Sequence, residues 1–213
     1  MKNFLHIAKV ILFFTGLLAI LSCKKDAVAP SFNINNPKGY AIVYTHPQHT
    51  FPLPIIAVFN ENNRLTYGSI YTYGNSSFRV NNDELILDDD GIDLVFKIQG
   101  EKIISHSANI KSAELVKVPS ENQLLGKTFT GIYYHTNAAV LHPKFFYRFD
   151  SFGNKVNAGY QVETTIRTEN YTPLGNIAAF IQGNGTEFII KMPDGSIIAN
   201  YKDNNGTSYG ILK

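Results

Sequence analysis

From Gly39 onward this chain is interrupted every few residues by a turn signal, and that punctuation restricts it to one kind of fold. Asn62-Asn63, Gly74-Asn75, Asn81-Asn82, Asp90-Gly91, Gly100, Gly153-Asn154, Asn184-Gly185, Asp194-Gly195 and Asn205-Gly206 separate short apolar runs. Asn, Asp and Gly tolerate the positive φ that tight hairpin turns require. The 213 residues include 21 Asn and 16 Gly, enough to supply many such turns. The intervals predict strands at 40–45, 54–59, 64–73, 84–88, 92–98, 102–108, 112–118, 128–134, 144–149, 155–168, 177–182, 186–192, 196–201 and 207–212. Strands at this spacing, with no long helical period, predict an all-β chain: an antiparallel meander folded as a barrel or a sandwich. Alternation places Tyr67, Ser69, Tyr71 and Tyr73 on one strand face, and Phe145, Tyr147 and Phe149 on another.

Composition narrows the class. At 44% hydrophobic residues the chain carries too much apolar side chain for a disordered polar protein. One Cys excludes an internal disulfide framework. The one helical hint is Ser120-Glu121-Asn122-Gln123 before Leu124-Leu125-Gly126, a capping spacing with a Gly stop that suits a single turn. Leu87–Ile104 matches Ile181–Ile198 without gaps, pairing Gly91 with Gly185, Asp93 with Glu187 and Lys97 with Lys191. Read as a duplication, the match divides an all-β domain at 39–213 into tandem units at 39–119 and 120–213. Hairpin alternation and turn chemistry alone produce the same match.

The first 22 residues read as an export signal. Lys2 and Lys9 precede Val10–Leu21, a run of 12 uncharged, mostly apolar residues. As a helix that run spans roughly 18 Å, short of the roughly 30 Å hydrocarbon core of a bilayer. A short apolar stretch behind a basic start and before a small residue is the pattern of a cleaved signal. Ile20-Leu21-Ser22-Cys23 resembles the lipobox of bacterial lipoproteins, with Ile20 where Leu is usual. The resemblance implies a lipidated Cys23 at the mature terminus, and a tether over 23–38. Ser22-Cys23-Lys24-Lys25-Asp26 is similar to lipoproteins of Bacteroidetes-type bacteria. Lys24, in place of an Asp directly after the Cys, implies the outer rather than the inner membrane, with the periplasmic or surface face left open. Two or more acyl chains hold a protein stably on a bilayer. Loss of Lys2 and Lys9 leaves 17 of the 19 basic residues against 17 acidic ones. A neutral body lacks the basic patch that nucleic acid requires.

The opening of the second half, Leu124-Leu125-Gly126-Lys127-Thr128-Phe129, resembles the first strand of lipocalin-like barrels, with Phe129 in place of a Trp one position earlier. That resemblance implies a barrel and names no ligand.

The chain holds no nucleophile elbow, phosphate loop or zinc-protease helix. Asp88-Asp89-Asp90-Gly91 does not fit a helix-loop-helix calcium loop, because Ile86 and Lys97 fall where ligands belong. His46-Pro47-Gln48-His49 cannot form the helical i, i+4 metal pair. No catalytic residue, metal or cofactor is expected. The aromatic set Tyr67, Tyr71, Tyr73, Tyr133, Phe145, Tyr147 and Phe149 reads either as the lining of a binding cavity or as core packing. The expectation is a non-enzymatic envelope lipoprotein that binds a small apolar ligand or a protein partner. The alternatives are an interaction, immunity or accessory-subunit protein without a cavity, or an envelope hydrolase.

Overall fold

The computed structural model describes residues 31–89, 91–161 and 164–213. Residues 1–30, and with them the signal, Cys23 and most of the tether, lie outside the described residues. The described residues contain strands and turns and no helix. The strands are β1 (Tyr40–Thr45), β2 (Ile55–Phe59), β3 (Arg64–Gly68), β4 (Tyr73–Asn81), β5 (Glu84–Asp89), β6 (Ile92–Gln99), β7 (Lys102–His106), β8 (Ser112–Lys117), β9 (Thr128–His135), β10 (Val140–Phe149), β11 (Lys155–Gln161), β12 (Thr164–Asn170), β13 (Thr172–Leu174), β14 (Ala178–Gln182), β15 (Thr186–Lys191), β16 (Ile197–Asp203) and β17 (Gly206–Leu212).

The turn chemistry works as expected at most joints. Asn62 and Asn63 both take positive φ, 57° and 55°, between β2 and β3. Gly91, Gly100, Gly195 and Gly206 do the same at later hairpins. Every strand pairing is antiparallel, and the strands close into two barrel-like sheets. The first has the order β7-β6-β5-β4-β3-β2-β1-β8, and the second β12-β11-β10-β9-β17-β16-β15-β14-β13. In each, the first strand pairs with the last: Ala41 faces Val116, and Gly210 faces Tyr133. Each therefore wraps round on itself and leaves one seam, between β7 and β8 in the first and between β12 and β13 in the second. Of barrel and sandwich, the barrel is the outcome. The matched stretches Leu87–Ile104 and Ile181–Ile198 each build part of a three-stranded meander. In the first barrel that meander ends at the seam, whereas in the second it lies one strand beyond it.

Where the expected strands fail, the cause is local. The run 64–73 is two strands, because the chain reverses at Ser69–Thr72. Ser69 N donates to Thr72 O at 2.8 Å, and Ser69 Oγ accepts from Tyr71 N and Thr72 N. Gly74-Asn75 lies inside β4 and is not a turn. The run 155–168 likewise divides into β11 and β12, with no Gly or Pro in the sequence between Gln161 and Thr164 to announce it. The turn at 123–126 forms, with Gly126 at φ +67°, but the cap is Asn122, whose Oδ1 accepts from Leu124 N at 3.0 Å.

Three apolar clusters hold the body together. Ile42, Phe59, Leu85, Leu94 and Phe96 fill the first barrel. Phe129, Tyr147, Phe149, Ile189 and Ala199 fill the second. Ala41, Ile56, Ile70, Phe188 and Ile190 form a third cluster where the outer faces of β1 and β2 meet β14 and β15. Each of these four strands carries a continuous apolar stretch, Ala41–Val43, Ile55–Phe59, Ala178–Ile181 and Phe188–Ile190, because both of their faces are covered. Asn200 Nδ2, fully buried, also donates to Pro52 O at 2.9 Å across this junction. Phe32 and Ile34 pack on the first barrel, Phe32 against Tyr40 at a ring separation of 5.1 Å, so the stretch from Phe32 is seated rather than loose tether.

The junction has little slack. A Cβ at Gly68 would stand 2.6 Å from Leu174 Cδ2 and 3.3 Å from Phe188 Cε2. Overpacking of a close contact costs about 1–3 kcal/mol. Gly68→Ala is expected to lose stability in that range, read as a lower urea midpoint with unchanged slope; a neutral result would show that the barrels part without cost.

Candidate functional site

Four of the seven aromatic candidates, Tyr133, Phe145, Tyr147 and Phe149, meet inside the second barrel. The expected face of β10 is real: Phe145, Tyr147 and Phe149 all point inward and are buried. The other three do not join them. Tyr67 packs in the first barrel, Tyr71 sits on the exposed turn after β3, and Tyr73 stacks on Phe180 at 4.7 Å. Their supposed common face is lost because the chain reverses at Ser69.

A cavity of about 400 Å³ opens at one end of the second barrel, within the size range of small-molecule pockets. Tyr133, Leu141, Phe145, Tyr160, Ile166 and Tyr201 provide its apolar walls. His135, His142, Asp203, Asn205, Thr207 and Ser208 add polar groups, and Arg167 reaches in from β12. Two local irregularities shape the mouth. Pairing of β9 with β10 slips on both sides of His142, beside Pro143, which has no N–H to donate to the ladder. The bulge brings His142 within 4.4 Å of Tyr160 and stacks it on Phe145 at 6.0 Å, measured between ring centres. On the opposite strand Gly210 leaves room for the Tyr133 ring: a Cβ there would stand 2.6 Å from Tyr133 Cδ2 and Cε2.

Beneath the cavity lies a polar network inside the apolar barrel. Glu187 is 1% exposed, on the inward face of β15. Tyr147 Oη donates to Glu187 Oε1. Tyr133 Oη lies 2.8 Å from Tyr147 Oη and also donates to Glu187 Oε1 at 3.3 Å. Arg167 Nη2 donates to Glu187 Oε1 at 2.8 Å, and Nη1 to Glu169 Oε2. Glu187 Oε2 lies 2.8 Å from Arg167 Nη2 as an ion pair, yet no donor meets it at hydrogen-bonding angles. The guanidinium also sits 5.4 Å from the centre of the Tyr201 ring. Arg167 thus spans the open seam of the barrel, joining β12 to β15 where no ladder hydrogen bonds do.

Burial, and then Glu187, push the Tyr133 and Tyr147 phenols well above their ordinary range, so both remain protonated donors. Burial opposes the charge on Arg167, but Glu187 more than offsets it and the guanidinium stays charged. Burial, with His135 nearby, lowers His142, which is therefore neutral at pH 7.

Sequence reasoning missed Arg167, Glu187, Tyr160 and Tyr201. One signal was available: an acid at the inward position of the strand Thr186-Glu187-Phe188-Ile189-Ile190 has no reason to be there unless something pairs with it. The acidic turn after β5 is used structurally, with Asp88 Oδ1 accepting from Gly91 N and Asp93 paired with Arg79; Asp90 lies outside the described residues. His46 Nδ1 contacts Asn109 O at 2.7 Å, and His49 stacks on Tyr71. No group of three or more metal-binding side chains gathers among the described residues.

Compared with family models, curated proteins and solved structures, the chain finds no match in any of the three. Fold and site together define a class only: an all-β body of two barrel-like sheets, the second with an aromatic cavity over a buried ion pair.

Proposed function

We propose that this chain is a lipid-anchored protein of the bacterial envelope, on the outer membrane, whose second barrel binds a small, largely apolar ligand without transforming it. The observation that carries the reading is the cavity itself: about 400 Å³, walled by Tyr133, Leu141, Phe145, Tyr160, Ile166 and Tyr201. Apolar walls with a few placed polar groups are what a small-molecule site requires. The two phenols beside Glu187 are held protonated and so act as hydrogen-bond donors.

Two measurements test the two halves of the proposal. Cys23→Ser is expected to abolish acylation and move the protein out of the membrane fraction or leave it unprocessed; unchanged processing and fractionation would end the lipoprotein reading. Ile166→Trp fills the mouth of the cavity from an edge strand, where Ile166 is already 47% exposed. Native mass spectrometry of the wild type is expected to show a bound small molecule that the variant loses. A clean apo mass for both, with one stoichiometric protein recovered from membranes, would favour a partner-binding protein instead.

A further inference from the structure

The geometry points to a cationic ligand: a small amine or quaternary ammonium, with its apolar body in the cavity of the second barrel and its charge beside Asp203 at the rim. The inference rests on the binding role proposed above and adds the ligand's charge.

Charge balance is the first argument. Among the described residues Arg167 and Asp203 are the charged lysine, arginine, aspartate or glutamate side chains that line the cavity, and two further carboxylates, Glu169 and Glu187, lie behind its wall, both paired with Arg167. Arg167 is held by those two and has no charge left to offer an incoming anion. Asp203 stands at the mouth. Its oxygens accept from Asn205 N and Nδ2, and no cationic side chain pairs with it among the described residues. The adjacent Lys202 points away, its Nζ 4.7 Å from the centre of the Tyr71 ring. His142, neutral at pH 7, does not restore the balance.

The second argument is independent of that balance. Glu187 Oε2 is buried, and no donor meets it in hydrogen-bonding geometry, although Arg167 is close. A buried carboxylate oxygen short of a donor raises the potential's negative value at the floor and disfavours a second anion there. The third is the wall chemistry. Tyr133, Phe145, Tyr160 and Tyr201 surround the space, and aromatic faces attract a desolvated cation. Tyr201 already receives one, the Arg167 guanidinium. A fatty acid, the obvious guest for an apolar barrel, would place its carboxylate against this set at a cost.

The test is isothermal titration of the full-length protein in lipid nanodiscs, with empty nanodiscs as reference, using three probes of one shape: 3-phenylpropylammonium, 3-phenylpropanol and 3-phenylpropanoate. The expected order is ammonium, then alcohol, then carboxylate, with at least tenfold between the first and the last. Asp203→Asn keeps an oxygen to accept from Asn205 N, loses the acceptor for Asn205 Nδ2, and is expected to cut the ammonium-to-alcohol ratio severalfold. Glu169→Gln frees part of the Arg167 charge and is expected to narrow or reverse the ammonium-to-carboxylate preference. A carboxylate that binds as tightly as the ammonium, or a preference indifferent to both variants, overturns the cationic assignment and leaves the cavity's binding role standing. Failure of all three probes to bind, alcohol included, overturns the binding role and the assignment with it.

Discussion

Arg167→Met is expected to destabilise the body by about 3–5 kcal/mol, the range seen when one partner of a buried ion pair is removed. Its Nη2 lies 2.8 Å from both carboxylate oxygens of Glu187, which is 1% exposed and has no route to solvent of its own. Met keeps much of the side-chain volume, so most of the loss comes from an uncompensated charge rather than from a hole. Tyr147 still donates to Oε1, but a phenol does not replace a cation. The same substitution removes the one bridge described here between β12 and β15 across the seam. Hydrogen exchange should therefore quicken along β12 more than along β10. Removing both charges, as Arg167→Met with Glu187→Met, is expected to recover most of the loss, since a well-packed apolar pair often equals or exceeds a buried ion pair. Urea denaturation of the two single variants and the double gives the coupling directly. A deficit below about 1 kcal/mol would mean that the pair is hydrated, and the electrostatic picture of the floor would fall.

Phe188→Ala is expected to cost about 3–5 kcal/mol, the usual range for deleting a buried Phe ring. Phe188 is fully buried at the centre of the junction, packed in one cluster with Ile56, Leu174 and Ile190. Its ring closes the space beside Gly68, so truncation leaves a cavity that neither barrel can fill from its own interior. The character of unfolding should change as well as its midpoint. The wild type is expected to melt in a single calorimetric transition, because faces of β1, β2, β14 and β15 are dry only when the barrels are joined. With the junction weakened, two overlapping transitions should appear. A single sharp transition at an unchanged temperature would show that the junction contributes little.

Much of the architecture could be read from the turns. Asn62-Asn63 announced a reversal, and both residues adopt the φ that only a few residue types accept at low cost. Alternation also placed Phe145, Tyr147 and Phe149 on one inward face. It failed for Tyr67, Tyr71 and Tyr73, because a serine hydroxyl that closes a turn on its own backbone looks like any polar residue in a strand. It failed to divide 155–168, because β11 and β12 pair up to Gln161 and Thr164 and the sequence between those two residues holds no Gly or Pro. Closure was out of reach, since pairing β1 with β8 and β9 with β17 is fixed by contacts many residues apart. So was the floor of the cavity: Tyr147 and Glu187 are 40 residues apart in sequence, and no local pattern joins them. The buried acid in an apolar strand was the one trace of it.

The pairing of first with last strand has a consequence for how the chain is made. Gly131 on β9 lies opposite Leu212 on β17, and Thr130 exchanges two backbone hydrogen bonds with Lys213. During synthesis, every residue from β9 through β16 must therefore emerge before the second wall can find its missing stave. Until then the cluster shared by the two halves waits with sticky faces uncovered, and such long-range closure is slow.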